Sequence, residues 1–158
     1  MSNRAMSKGV RSNAAQVPYA TTHLVRDTCL CLHVQRAARA LARRFDEALR
    51  PLDLTNGQFS LLMSLNRPEA ASIGGVSTLL AMDRTTLTAN LKPLERRGLV
   101  TVSVDDADKR SRRLTLTPPG RALLIAALPV WEHEHTAIEG LLTDVDPDRL
   151  RGDLRALY

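Results

Sequence analysis

The residues with the clearest chemical reach are cations and hydroxyls crowded into residues 83–117. Arg84, Lys92, Arg96, Arg97, Lys109, Arg110, Arg112 and Arg113 lie there against five acids, with Thr85, Thr86 and Thr88 interspersed. Such groups donate hydrogen bonds and carry positive charge, which suits them to hold an anionic, acceptor-rich surface rather than to break covalent bonds. Cys29 and Cys31 are two residues apart. On one intact helix that is about 200° of turn, so the thiols face opposite ways and do not readily pair. His133 and His135 share this spacing, whereas ligands on one helix face need a separation of three or four. They read as solvated or interface histidines. There is no glycine-rich phosphate loop, no nucleophile elbow and no carboxylate pair in a distinctive setting. No group has an evident activating neighbour, so neither an enzyme, a cofactor nor a metal is expected.

The chain that must position these residues has 158 amino acids, enough for one domain with extensions. Aromatic residues make up only 3%. A core of Leu, Ala and Val therefore leans helical, and a base-stacking platform for single strands is not expected. The longest apolar run, Ala122 to Val130, contains a proline and is too short to span a membrane. Arg4, Lys8 and Arg11 precede no hydrophobic stretch, so no secretory signal is read, and two cysteines do not make a disulfide framework. A soluble cytoplasmic protein is expected. Its net charge of +5 is uneven: +4 in residues 1–26, +1 in 27–82, +3 in 83–117 and −3 in 118–158.

Residues 1–22 lack periodicity and read as a flexible basic arm, followed by a single unit over 23–158. From Asp27 to Leu52 a helix is predicted by Val34, Ala38, Leu41, Phe45 and Leu49, with Pro51 ending it. Thr55 and Gln58 form a capping-box start for a helix burying Phe59, Leu62 and Leu65. Ser72 caps a short third helix. Asp83 caps a fourth, Arg84 to Arg97, closed by Gly98. Leu87, Leu91 and Leu94 mark its buried stripe, and Thr85, Ala89, Lys92 and Arg96 lie within about 40° of the opposite side. Pro93 is expected to kink its last turn. The period then changes to two: Val100, Val102 and Val104 alternate with polar residues, a charged tip follows, and Leu114 and Leu116 mark a return strand. Thr117 with Pro118, and Asp146 with Pro147, open two further helices, the first running to about Leu142 and bent at Pro129.

Helix, short helix, turn, helix and hairpin is the order of a winged helix-turn-helix, mainly α with a small two- to three-stranded β-wing. Its second helix fits a major groove, and the hairpin supplies Lys109, Arg110, Arg112 and Arg113 to phosphates or a minor groove. The alternative from another class is a helical interaction protein whose charges only solvate it.

The segment MDRTTLTANLKPLERRGLV, Met82 to Val100, with DDADKRSRRLTLTPPG, Asp105 to Gly120, resembles the MarR family of bacterial transcription regulators. The matching marks are a Thr-rich helix start, LxxLExxGLV over Leu91–Val100, a D-x-R wing tip at Asp108 and Arg110, and LTxxG at Leu116–Gly120. The resemblance implies a homodimer on a pseudo-palindromic double-stranded operator. Residues 53–117 would form the winged helix-turn-helix, and 23–52 with 118–158 the dimerisation helices of a shared bundle. It further implies that Arg110 enters the minor groove, that Asp108 orients the wing, and that Arg84, Thr85, Thr86, Thr88 and Asn90 approach bases or phosphates. Lys92 and Arg112 join this set from their outward positions. Repression relieved by a small-molecule ligand between bundle and lobe is the expected mode. One subgroup, the organic-peroxide sensors, carries a reactive cysteine eight residues before an arginine, a spacing Cys31 and Arg39 reproduce. Its accompanying tyrosines are not matched at Gln35, Phe45 and Asn56. Cys31 thus reads either as a small buried hydrophobe or as an oxidant sensor.

Overall fold

The computed structural model describes residues 16–105 and 108–158, which fall into two compact units, one up to Ala37 and one from Ala38. The first holds helix α1 (Tyr19–Thr28) and the opening turns of α2 (Leu30–Leu49). Two expectations change here. The loose arm read over 1–22 ends earlier, because Tyr19 to Thr22 form the first turn of α1 behind Pro18; residues 1–15 lie outside the described set. The single helix read from Asp27 to Leu52 is broken at Cys29, whose backbone is extended at φ −73° and ψ 104°. Thr28 Oγ1 donates to the Leu24 carbonyl at 2.7 Å, a local bond that competes with continuation of the helix ladder.

The second unit begins within α2. Proline cannot donate a ladder bond, and at Pro51 the helix tightens into a 3₁₀ turn, Arg50–Leu52. Asp53 then takes the left-handed conformation, φ 53°. Helix α3 (Asn56–Ser64) opens with the expected capping box: Thr55 accepts from the Gln58 N–H, and Gln58 accepts from the Thr55 N–H. Strand β1 (Ala71–Ser72) leads into α4 (Ile73–Leu79), which Ser72 caps at the Gly75 N–H. The turn into α5 (Arg84–Arg96) puts Ala81 at φ 49°, a position where such turns often carry glycine. Helix α5 runs on past Pro93. The bond lost there belongs to the carbonyl of Ala89, and that residue is exposed rather than buried.

Gly98, at φ +69°, turns the chain into β2 (Val100–Val104), which pairs antiparallel with β3 (Arg112–Leu116), Val102 opposite Leu114. Strand β1 adds to the other side of β3, Ala71 opposite Leu114, so the sheet order is β1-β3-β2. Thr117 caps α6 (Pro118–Glu139) at the Gly120 N–H, and Asp146 caps α7 (Pro147–Arg155). Helix α6 ends at Glu139, three residues short of Leu142, with Gly140 as its C-cap. The core of this unit is mostly aliphatic: Leu49, Leu61, Leu62, Leu94 and Ala127 are wholly buried, and Leu87 and Leu114 nearly so. Among the described residues no helix is long and apolar enough to cross a membrane.

Candidate nucleic-acid interface

The stripe Leu87, Leu91 and Leu94 anchors α5 with no more than 6% exposure at any position. Its opposite side is therefore presented outward. Arg84, Thr85, Thr88, Ala89 and Lys92 line one shallow depression of about 420 Å³ there. Arg84 and Lys92 are exposed, and neither side chain has a partner among the described residues. Thr88 donates its hydroxyl to the Arg84 carbonyl at 2.7 Å, which leaves its oxygen lone pairs outward as acceptors.

Two predicted members separate from this set. Thr86 serves the helix cap: its N–H and hydroxyl donate to the two Asp83 carboxylate oxygens at 2.9 and 2.6 Å. These bonds, the hydroxyl's first, hold the Asp83 carboxyl below the usual carboxylate range. Asn90 is half-buried and donates to the Thr86 carbonyl at 3.0 Å. Its Oδ1 would lie 2.7 Å from a Cβ placed on Gly57, so the amide occupies space that α3 leaves by carrying glycine. Asn90 sits on the flank of the Leu87–Leu91 stripe, toward α3, where the short carboxamide packs instead of projecting outward.

The hairpin tip is built on Asp108. Its carboxylate accepts from the Arg110 N–H at 3.0 Å and the Ser111 hydroxyl at 2.9 Å, and its carbonyl accepts from the Ser111 N–H. That is a turn held by an aspartate side chain, and it presents Arg110 exposed, with a guanidinium that has no partner among the described residues. Arg112 is exposed and donates to the carbonyls of Lys109 and Ser111. Asp106 and Ala107, also part of the expected tip, lie outside the described residues.

Two arginines counted with the basic surface have other work. Arg97 donates to the carbonyls of Leu52 and Asp53, tying the end of α5 to the turn after α2. Arg113 donates to the Asp105 carboxylate at 2.5 Å and to the Ala70 carbonyl at 3.4 Å. By sequence Arg113 reads as a phosphate contact because nothing local tells it from Arg112; the one signal to the contrary is an acid, Asp105, at the base of a basic hairpin. Cys31 is not the small buried hydrophobe of the first of its two readings: it is exposed, and accepts from the Gln35 amide at 3.2 Å. Cys29 is half-buried.

A helix pair followed by a charged hairpin, which completes a three-stranded antiparallel sheet with the strand before the pair, and with one helix face outward, defines the winged helix-turn-helix class. Residues 54–111 match the model of the MarR family. The DNA complex of the M. tuberculosis transcriptional regulator MosR superposes with a TM-score of 0.70 at 38% identity, covering 82% of this chain and 92% of that one. Bordetella bronchiseptica BpsR, a structure concerned with regulation of DNA binding by 6-hydroxynicotinic acid, gives 0.67 at 28% identity, covering 81% and 89%. The transcriptional regulator TtmR of Methylorubrum extorquens is 36% identical over 97 residues, 61% of this chain, and the match spans 50% of that relative's length. The chain belongs to the MarR family of winged-helix transcriptional regulators, a non-enzymatic class.

Proposed function

We propose that this chain is a homodimeric, cytoplasmic regulator that binds a pseudo-palindromic operator in double-stranded DNA and represses until a small-molecule ligand releases it. The observation that carries the reading is the convergence of Arg84, Thr85, Thr88 and Lys92 on one outward face of α5. A helix with that face fits the major groove, where hydroxyls read base edges and cations meet phosphates. Arg110, exposed at the wing tip and without a guanidinium partner among the described residues, is the group for the adjacent minor groove. Two copies are required because half-sites lie about 34–36 Å apart, one helical turn. Exposed apolar side chains on the C-terminal helices and the segments that flank them, among them Ile125 at 68%, Leu141 at 67% and Leu157 at 57%, favour a partner subunit. A ligand that changes the separation of the two α5 helices then releases DNA, in line with the ligand-regulated relative BpsR.

The test is fluorescence anisotropy on the DNA upstream of the gene, at two salt concentrations, beside sedimentation of the free protein. Neutralising phosphates releases counterions, so affinity must fall steeply with salt. Binding that is absent, or indifferent to salt, would overturn the reading.

The exposure of Cys31 favours a second reading, in which oxidation of this thiol releases DNA. Under it, Cys31→Ser binds operator normally but no longer lets go when organic hydroperoxide is added.

A further inference from the structure

Asp105 is 8% exposed and, with Ser64, is one of two buried polar residues among those described. A carboxylate at the foot of a hairpin that must approach DNA works against that approach, because it repels phosphates. Its partner explains its presence. Arg113 lies in β3, opposite Ser103 of β2 and Ser72 of β1, on the sheet face away from Leu114 and Leu116. From there one guanidinium reaches Asp105, just past the end of β2, and the Ala70 carbonyl, just before β1. Three chain segments are thereby joined at one planar group whose donors have fixed directions. The Asp105 N–H also donates to the Ser111 carbonyl at 3.1 Å, and Ser111 is held by Asp108, so the clamp connects directly to the turn that carries Arg110.

We infer that Asp105 and Arg113 are positioning residues for DNA binding: they set where the wing leaves the sheet and so hold Arg110 in register with α5. The inference rests on the DNA-binding reading above for its consequence, but not for its geometry. Arg113 touches no phosphate on this view, although its type and neighbourhood invite that assignment.

Charge and position predict opposite signs, which makes the test sharp. Asp105→Asn removes one negative charge within about a Debye length of the DNA, and electrostatics alone would raise affinity. Loss of position lowers it instead, and the expected outcome is a roughly tenfold weaker operator complex with an unchanged salt slope. Arg113→Lys keeps the charge but not the fork, and should weaken binding by a similar factor, again without altering the slope. The double variant should be no worse than the weaker single variant, since both changes break the same unit. If Arg113 is a phosphate contact, its loss flattens the slope by about one and adds to the effect of Asp105→Asn; either result overturns the inference, as does tighter binding by Asp105→Asn. Amide hydrogen exchange of residues 103–112 in the free protein supplies a readout without DNA. Faster exchange there in both variants, with α5 unaffected, is expected, and unchanged exchange also overturns the inference. Wild-type protein that fails to bind DNA would refute the regulator reading, while the exchange result would still decide the clamp.

Discussion

Gly120, at the start of α6, packs tightly against the backbone that enters β2. A Cβ there would lie 2.1 Å from the Leu99 carbonyl oxygen and 2.8 Å from Leu116 Cδ1. Ordinary contact begins at 3.4 Å, so Gly120→Ala must push the start of α6 back by about 1.3 Å. That movement pulls on two bonds at the same place, Thr117 N–H to the Leu99 carbonyl at 3.1 Å and Thr117 Oγ1 to the Gly98 carbonyl at 2.7 Å. Overpacking of this kind costs about 1–3 kcal/mol, and each strained bond up to about 1 kcal/mol more. Alanine's better helix propensity offsets about 1 kcal/mol. The net expectation is a loss of about 2 kcal/mol, or roughly 4–8 °C in Tm for a chain of this size. Gly74 is the internal control. It too is helical, but nothing lies within 4 Å of its would-be Cβ, so Gly74→Ala should gain about 0.4–1 kcal/mol by restricting the unfolded chain. Thermal melts at equal protomer concentration measure both, since dimer stability depends on concentration. A Gly120→Ala variant that melts at or above wild type, or two variants that shift in the same direction, would refute the reasoning.

Arg110→Ala should weaken operator binding and leave Tm within error of wild type, because the side chain is exposed and touches no core; unchanged affinity in anisotropy would remove the wing from the interface. Thr88→Ala should relax base preference at particular positions by about 1–3 kcal/mol, whereas Lys92→Ala should weaken all sequences alike and reduce the salt slope by about one. Binding-site selection distinguishes these outcomes, and an unaltered sequence preference with Thr88→Ala would count against α5 as the reader. Asp83 has a carboxyl pKa lowered by Thr86, so its capping contribution is present above the unfolded value near 4 and is lost as pH falls through the lower folded value. Asp83→Asn, which keeps the cap, should match wild type at pH 7 and flatten the decline in Tm as the pH falls below about 4; an identical decline in both proteins would contradict this.

What the amino-acid sequence determined by itself was whatever is decided within a few residues. Thr55 with Gln58, Ser72, Asp83, Thr117 and Asp146 all cap the helices expected of them, because a cap joins a side chain to a backbone N–H two or three positions away. The buried stripe of α5 and the alternation of Val100 to Ser103 in β2 were equally legible, since each follows the period of its own element, whereas Val104 at the strand's end is exposed. The break at Cys29 was not, because Tyr19 to Thr28 hold too few apolar residues to advertise a helix. Only the tertiary structure sorted the arginines. Arg84 and Arg110 have no side-chain partner among the described residues, Arg97 closes onto Leu52 and Asp53 across about forty-five positions, and Arg113 closes onto Asp105 and Ala70. Likewise Asn90, one helical step from an outward face, turned out to fill the space beside Gly57. A guanidinium or carboxamide has the same local signature whether it meets solvent, DNA or a carbonyl forty residues away. Which of these it meets depends on long-range packing, in which short sequence periods have no part.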